Sequence, residues 1–118
     1  MRRDPRTFLW DARQAAGAIE DFVRGKSRED YLRDLLLRSA VERQLEIIGE
    51  AFNQLAKHDP ALAARIPDLR AIVGLRNILV HGYAQIDDER VWNVVHEHVP
   101  ELRLRLDAFL ADDVPESR

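Results

Sequence analysis

The chain has 118 residues, 46% of them apolar and 33% charged, which suits one folded domain and excludes a disordered or collagen-like polymer. Eighteen basic against 21 acidic residues give a net charge of −3, which argues against a module that grips nucleic acid by bulk electrostatics. There is no cysteine, hence no disulfide framework, thiolate metal site or Cys nucleophile, and a reducing cytoplasm is the expected setting. No apolar run is long enough to cross a bilayer, and Met1-Arg2-Arg3-Asp4-Pro5 lacks the apolar stretch of a signal peptide.

In chain order, the first helix is expected from about Pro5 to Arg24. Phe8, Ala12, Ala15, Ile19 and Phe22 recur at three- and four-residue steps, Pro5 suits the first turn and Gly25 the C-terminal cap. A second helix is expected from Ser27 to about Lys57. Ser27 precedes the acidic first turn Glu29-Asp30, without the full capping-box sequence, and His58-Asp59-Pro60 ends the helix. Val41, Leu45, Ile48, Phe52 and Leu55 form one seam, and Leu36, Ala40, Ile47 and Ala51 an adjacent one, so this helix must touch more than one neighbour.

Pro60 to Ile66 has room for one short helical turn. Pro67 and Asp68 open a third helix from Leu69 to about Val80, closed by Gly82. Asp87-Asp88-Glu89 then starts a fourth, with the seam Trp92, Val95, Val99, Leu102, Leu106 and Phe109, which Pro100 must kink or split. Trp10 and Trp92 fit the edges of the apolar stripes as packing residues. No strand alternation with hairpin signals occurs. The expected fold is therefore all-α, an up-and-down four-helix bundle with a possible short fifth helix, forming one domain over residues 1–111 with a solvated tail at 112–118.

The segment richest in polar chemistry is Arg76-Asn77-Ile78-Leu79-Val80-His81-Gly82-Tyr83. Arg76 falls near the middle of the apolar arc formed by Leu69, Ile72, Val73, Leu75, Leu79 and Val80, so its charge needs a partner. At about 100° per residue, His81 leaves the helix about 140° away from Arg76, unless Gly82 ends the helix and lets His81 turn back. Two readings stand side by side. Arg76 can be a structural arginine paired with Glu46 or Glu50, with His81 favoured by the helix dipole and Tyr83 packed on the bundle end. Alternatively, arginine, asparagine, histidine and tyrosine gathered at one helix end form a reactive site. His96 and His98, two apart, point to opposite sides of one helix and cannot share a metal; Asp87, Asp88 and Glu89 read as a helix start rather than a cation site.

The run from Arg76 through His81 to Tyr83 resembles the motif of the HepT-like toxins, helical ribonucleases of the HEPN superfamily. Ala40-Val41-Glu42-Arg43-Gln44-Leu45-Glu46-Ile47-Ile48-Gly49-Glu50-Ala51 looks like that family's second-helix signature, and Val91-Trp92 with Pro100-Glu101-Leu102 like its last helix. The resemblance implies a HEPN-like bundle that pairs as a homodimer, bringing two copies of the motif into one cleft. It implies cleavage of RNA with neither metal nor cofactor, by Arg76 and His81, with Asn77 and Glu46 in support. It further implies a MntA-type nucleotidyltransferase antitoxin that silences the toxin by adding AMP to Tyr83. Gly82 stands where many relatives carry an acidic residue, and Pro67-Asp68-Leu69-Arg70 lacks a tryptophan often found there. The competing readings are a non-catalytic module that docks a nucleotidyltransferase and a purely structural bundle.

Overall fold

The computed structural model describes residues 4–82 and 86–112. Among these the chain is all-α, with seven helices: α1 (Pro5–Val23), α2 (Arg28–Arg33), α3 (Leu35–His58), α4 (Pro60–Ala63), α5 (Leu69–His81), α6 (Asp88–Glu97) and α7 (Val99–Asp112). They form four rods: α1, α2 with α3, α5, and α6 with α7. α3 is the central rod, packed on α1 and α5, while α1 also packs on α7. The short α4 is the fifth helix that the sequence allowed for. Residues 113–118 of the expected tail lie outside the described residues.

The expected second helix is two. Ser27 and Asp30 cap α2 reciprocally: the Asp30 N–H donates to Ser27 Oγ (3.1 Å) and the Ser27 N–H to Asp30 Oδ2 (2.9 Å). A capping box is thus present, with aspartate in the place usually held by glutamate. One turn later Asp34 leaves the helical region (φ −111°, ψ 98°), and its side chain accepts from the Leu37 N–H at 3.1 Å, restarting the chain as α3. The break lets α2 turn aside and bury Tyr31 against Trp92, with ring centroids 5.5 Å apart. Pro100 divides the last rod, and His98 occupies the joint.

The core follows the expected seams closely. Val41, Leu45, Ile48, Phe52 and Leu55 of α3 are fully buried, as are Leu9, Ala12 and Ile19 of α1 and Val99 and Leu106 of α7. Two expectations are corrected. Leu36 is 80% exposed, because the break at Asp34 leaves the first turn of α3 without a covering helix, and Trp10 is 53% exposed on the outer side of α1. Trp92 packs inside as expected.

Side-chain pairs tie the rods at their margins. Arg13 of α1 meets Asp107 of α7 at 2.7 Å, Arg103 pairs with both Asp107 and Glu20, and Arg65 lies over the Phe109 ring. Asp68 adopts the left-handed region (φ 65°) at the entry to α5 and makes no side-chain cap there. Its carboxylate instead approaches His98 Nδ1 at 3.2 Å, linking the α5 entry to the α6–α7 joint. His96 stacks on Trp92, so the two histidines face different neighbours.

Glu42, half-buried on α3, has its carboxyl pushed above the usual glutamate range, first by burial and then by the charge of Asp88, against the opposing pull of Arg38. A group that binds its proton more tightly when folded loses stability as pH rises through that window. Glu42→Gln is therefore expected to raise the melting temperature at pH 7. The gain should fade below about pH 4, where the wild-type carboxyl is protonated in both states. Thermal melts at the two pH values check this, and an equal gain at both would contradict it.

Candidate active site

Helices α1, α3 and α5 enclose an open groove of about 590 Å³. Phe8 and Asp11 of α1 form one wall; Arg43, Glu46, Glu50, Gln54 and His58 descend along α3; and Arg76 and Val80 come from α5. The polar residues of α3 recur at three- and four-residue steps, so they line one face of that helix. The same helix turns its fully apolar seam toward the core.

Arg76 reaches the groove because α5 approaches α3 at Gly49. A Cβ built on Gly49 would lie 2.2 Å from Arg76 Cβ and 2.7 Å from Arg76 Cγ. Only a residue without a side chain leaves space for the arginine stem at that point. The stem lies in this notch and the guanidinium extends to the groove wall, its side chain 23% exposed. Arg76 Nη2 pairs with Glu50 Oε1 at 2.9 Å, and Nη1 donates to Asn77 Oδ1 at 3.0 Å. Glu50 Oε2 accepts in turn from Gln54 Nε2 at 3.1 Å. Arg76 Nε is buried and has no hydrogen-bond partner.

Of the two carboxylates weighed as partners for Arg76, it is Glu50 that meets it. Glu46 lines the same groove one turn earlier and pairs with Arg43 at 3.4 Å. Asn77 contacts Arg76 through its side-chain oxygen. His81 is the last residue of α5 and is exposed. Gly82 ends the helix in the left-handed region (φ 61°), its N–H donating to the Ile78 carbonyl at 3.0 Å. The helix therefore stays regular through His81 and ends only at Gly82. On regular geometry Arg76 and His81 leave α5 about 140° apart, and His81 is not among the side chains lining the groove. Tyr83 lies outside the described residues.

His58 is the groove residue that sequence reasoning passed over. Its Nδ1 is 2.8 Å from the Gln54 carbonyl oxygen, and its ring sits 5.3 Å from that of Phe8. The available signal was its spacing of four from Gln54 and eight from Glu50 on one helical face.

An all-α bundle carrying a paired arginine on a groove and a histidine at the end of the same helix has the make-up of a HEPN-like helical ribonuclease. Comparison with known proteins narrows the class: residues 12–109 match the family described as Ribonuclease HepT-like, and the chain belongs to that family. A protein of Thermococcus cleftensis named as a probable ribonuclease HepT is 36% identical over 103 residues, covering 87% of this chain and 93% of its own. One from Methanocaldococcus jannaschii that carries an RNase name is 34% identical, over 86% of this chain and 93% of its own. Another RNase-named protein, from Caldanaerobacter subterraneus subsp. tengcongensis, is 32% identical, over 92% and 96%. No solved structure matches the chain. Among the described residues no helix is long and apolar enough to cross a membrane.

Proposed function

We propose that this member of the HepT-like ribonucleases is the toxin of a toxin–antitoxin pair, a cytoplasmic endoribonuclease that needs neither metal nor cofactor. The observation that carries the reading is the Arg76 guanidinium, fixed at the wall of an open groove by Gly49, Glu50 and Asn77. RNA brings its own nucleophile, the 2′-hydroxyl beside the scissile phosphate. As the O2′–P bond forms and the P–O5′ bond breaks, one imidazole takes the 2′-hydroxyl proton and a protonated one supplies a proton to O5′. The guanidinium stabilises the charge that gathers on the phosphorane oxygens. The products are a 2′,3′-cyclic phosphate and a 5′-hydroxyl.

Each chain contributes one Arg76 and one His81, which diverge around α5. A twofold homodimer provides two of each, so that a histidine of one copy can serve alongside the arginine of the other, with acid and base on separate imidazoles. Tyr83, two residues beyond His81, is the proposed acceptor of AMP from a MntA-type nucleotidyltransferase antitoxin. A bulky, charged adduct there would obstruct the ribose–phosphate chain next to His81.

Three acids, Asp11, Glu46 and Glu50, line the groove against Arg43 and Arg76. That balance favours a second reading, a module that docks the nucleotidyltransferase without cleaving RNA. Incubating the purified chain with RNA in EDTA separates the two. The enzyme reading expects cleavage in EDTA that His81→Ala abolishes; a strict need for Mg²⁺, or full cleavage by His81→Ala, would overturn it. On co-expression with the antitoxin, intact mass should rise by whole AMP units for the wild type and stay unchanged for Tyr83→Phe.

A further inference from the structure

We infer that Glu50 is the residue that positions Arg76 for phosphate contact, an inference that rests on the reading of Arg76 as the phosphate-facing guanidinium. A guanidinium has five N–H donors. In Arg76, Nη2 forms an ion pair with Glu50 Oε1 at 2.9 Å and one N–H on Nη1 donates to Asn77, while the Nε–H is buried without a hydrogen-bond partner. The two terminal nitrogens thus keep N–H donors beyond the one that Asn77 takes, and a guanidinium presents such donors as a fork that suits phosphate oxygens. The stem is fixed independently by the notch at Gly49, and rotation about the last bonds of the side chain is limited chiefly by the Glu50 carboxylate. Glu50 is held in its turn: Oε1 is ion-paired with Arg76 and Oε2 accepts from Gln54 Nε2.

The charge of Glu50 makes the assignment specific. A carboxylate in a groove that receives RNA repels the phosphodiester, so it opposes substrate binding. Nor does the pair hold the bundle together: the Glu50 side chain is 46% exposed, and ion pairs at that level of exposure contribute little to stability. A residue that costs affinity and adds little stability is explained by what it does to the geometry of its partner. Glu46, one turn away, has no such contact and pairs with Arg43.

This division of roles predicts that turnover and affinity move in opposite senses. With full-length chain and a short RNA oligonucleotide, Glu50→Ala should lower kcat by about 10- to 100-fold, the effect of a misplaced catalytic group. KM should be equal or lower, because a negative charge has left the groove, and the melting temperature should be unchanged. Glu50→Gln keeps an oxygen able to accept from Nη2 and should recover part of kcat. The inference is overturned if Glu50→Ala retains wild-type kcat while Arg76→Ala is inactive, a result that leaves the reading of Arg76 standing. It is also overturned if kcat and the melting temperature fall together and Glu50→Gln restores neither, since Glu50 would then be structural. Wild-type cleavage by Arg76→Ala would remove the reading of Arg76 itself, and this inference with it.

Discussion

Replacing Arg76 by alanine is expected to reduce RNA cleavage by about 10²- to 10³-fold, the usual loss when one charge-stabilising donor is removed from a transition state. Its effect on folding should be small by comparison. The pair with Glu50 lies at the groove surface, with side chains 23% and 46% exposed, and such pairs contribute at most about 1 kcal/mol. Glu50, left without Arg76, keeps its bond from Gln54 and access to water. Cleavage assays run beside thermal melts separate the two readings of Arg76 raised by the sequence. An arginine whose only task is structural would lose stability and activity in proportion, and a folded, inactive variant excludes that reading.

Substituting Gly49 attacks the same guanidinium from the other helix. Any Cβ at this position meets Arg76 Cβ at 2.2 Å, and that atom is anchored to the α5 backbone, so the helices themselves must move apart. Overpacking of this kind costs about 1–3 kcal/mol. Gly49→Ala also gains about 1 kcal/mol of helix propensity, which offsets part of the strain. Gly49→Leu adds further volume and should lie at the upper end. Each net kcal/mol lowers the melting temperature of a domain this size by several degrees. Because α5 carries both Arg76 and His81, cleavage should fall in the same variants even at temperatures where they are fully folded. A Gly49→Leu protein with wild-type melting temperature and activity would contradict the close approach of α3 and α5.

Much of this arrangement was legible in the chain, and the parts that were not share a physical cause. The seam from Val41 to Leu55 repeats at the helical period, and burial follows that repeat directly. The start of α6 was readable from Asp87, whose side chain accepts from the Arg90 N–H at 3.2 Å. The break at Asp34 was hidden because Tyr31, Leu32, Leu35, Leu36 and Leu37 make an unbroken apolar pattern across it. Asp34, an aspartate within that pattern, was the signal: its side chain accepts from the Leu37 N–H as a cap. The exposure of Leu36 follows from the same break.

The partner of Arg76 depended on the relative phase of two helices, which neither helix encodes alone. Glu46 and Glu50 are one turn apart and equivalent on the wheel of α3; the glycine at 49 decides between them by marking where α5 comes closest. The Arg13–Asp107 tie spans 94 positions of sequence and has no local signature at all. The sequence left two courses open at His81: a regular helix that separates it from Arg76, or an end at Gly82 that lets it turn back. The last turn is regular and capped by Gly82, so the two residues leave α5 about 140° apart, and this is why the proposed chemistry calls on a second copy of the chain.

In the proposed reaction two imidazoles and a guanidinium cleave RNA through its own 2′-hydroxyl. The most direct test is the chemistry of the cut ends, using an RNA oligonucleotide and its counterpart with a single 2′-deoxy residue at the scissile position, both in EDTA. The first should yield a 2′,3′-cyclic phosphate and a 5′-hydroxyl, and the second should remain uncut at that position. Cleavage of the deoxy-substituted strand, or products ending in a 5′-phosphate, would contradict it.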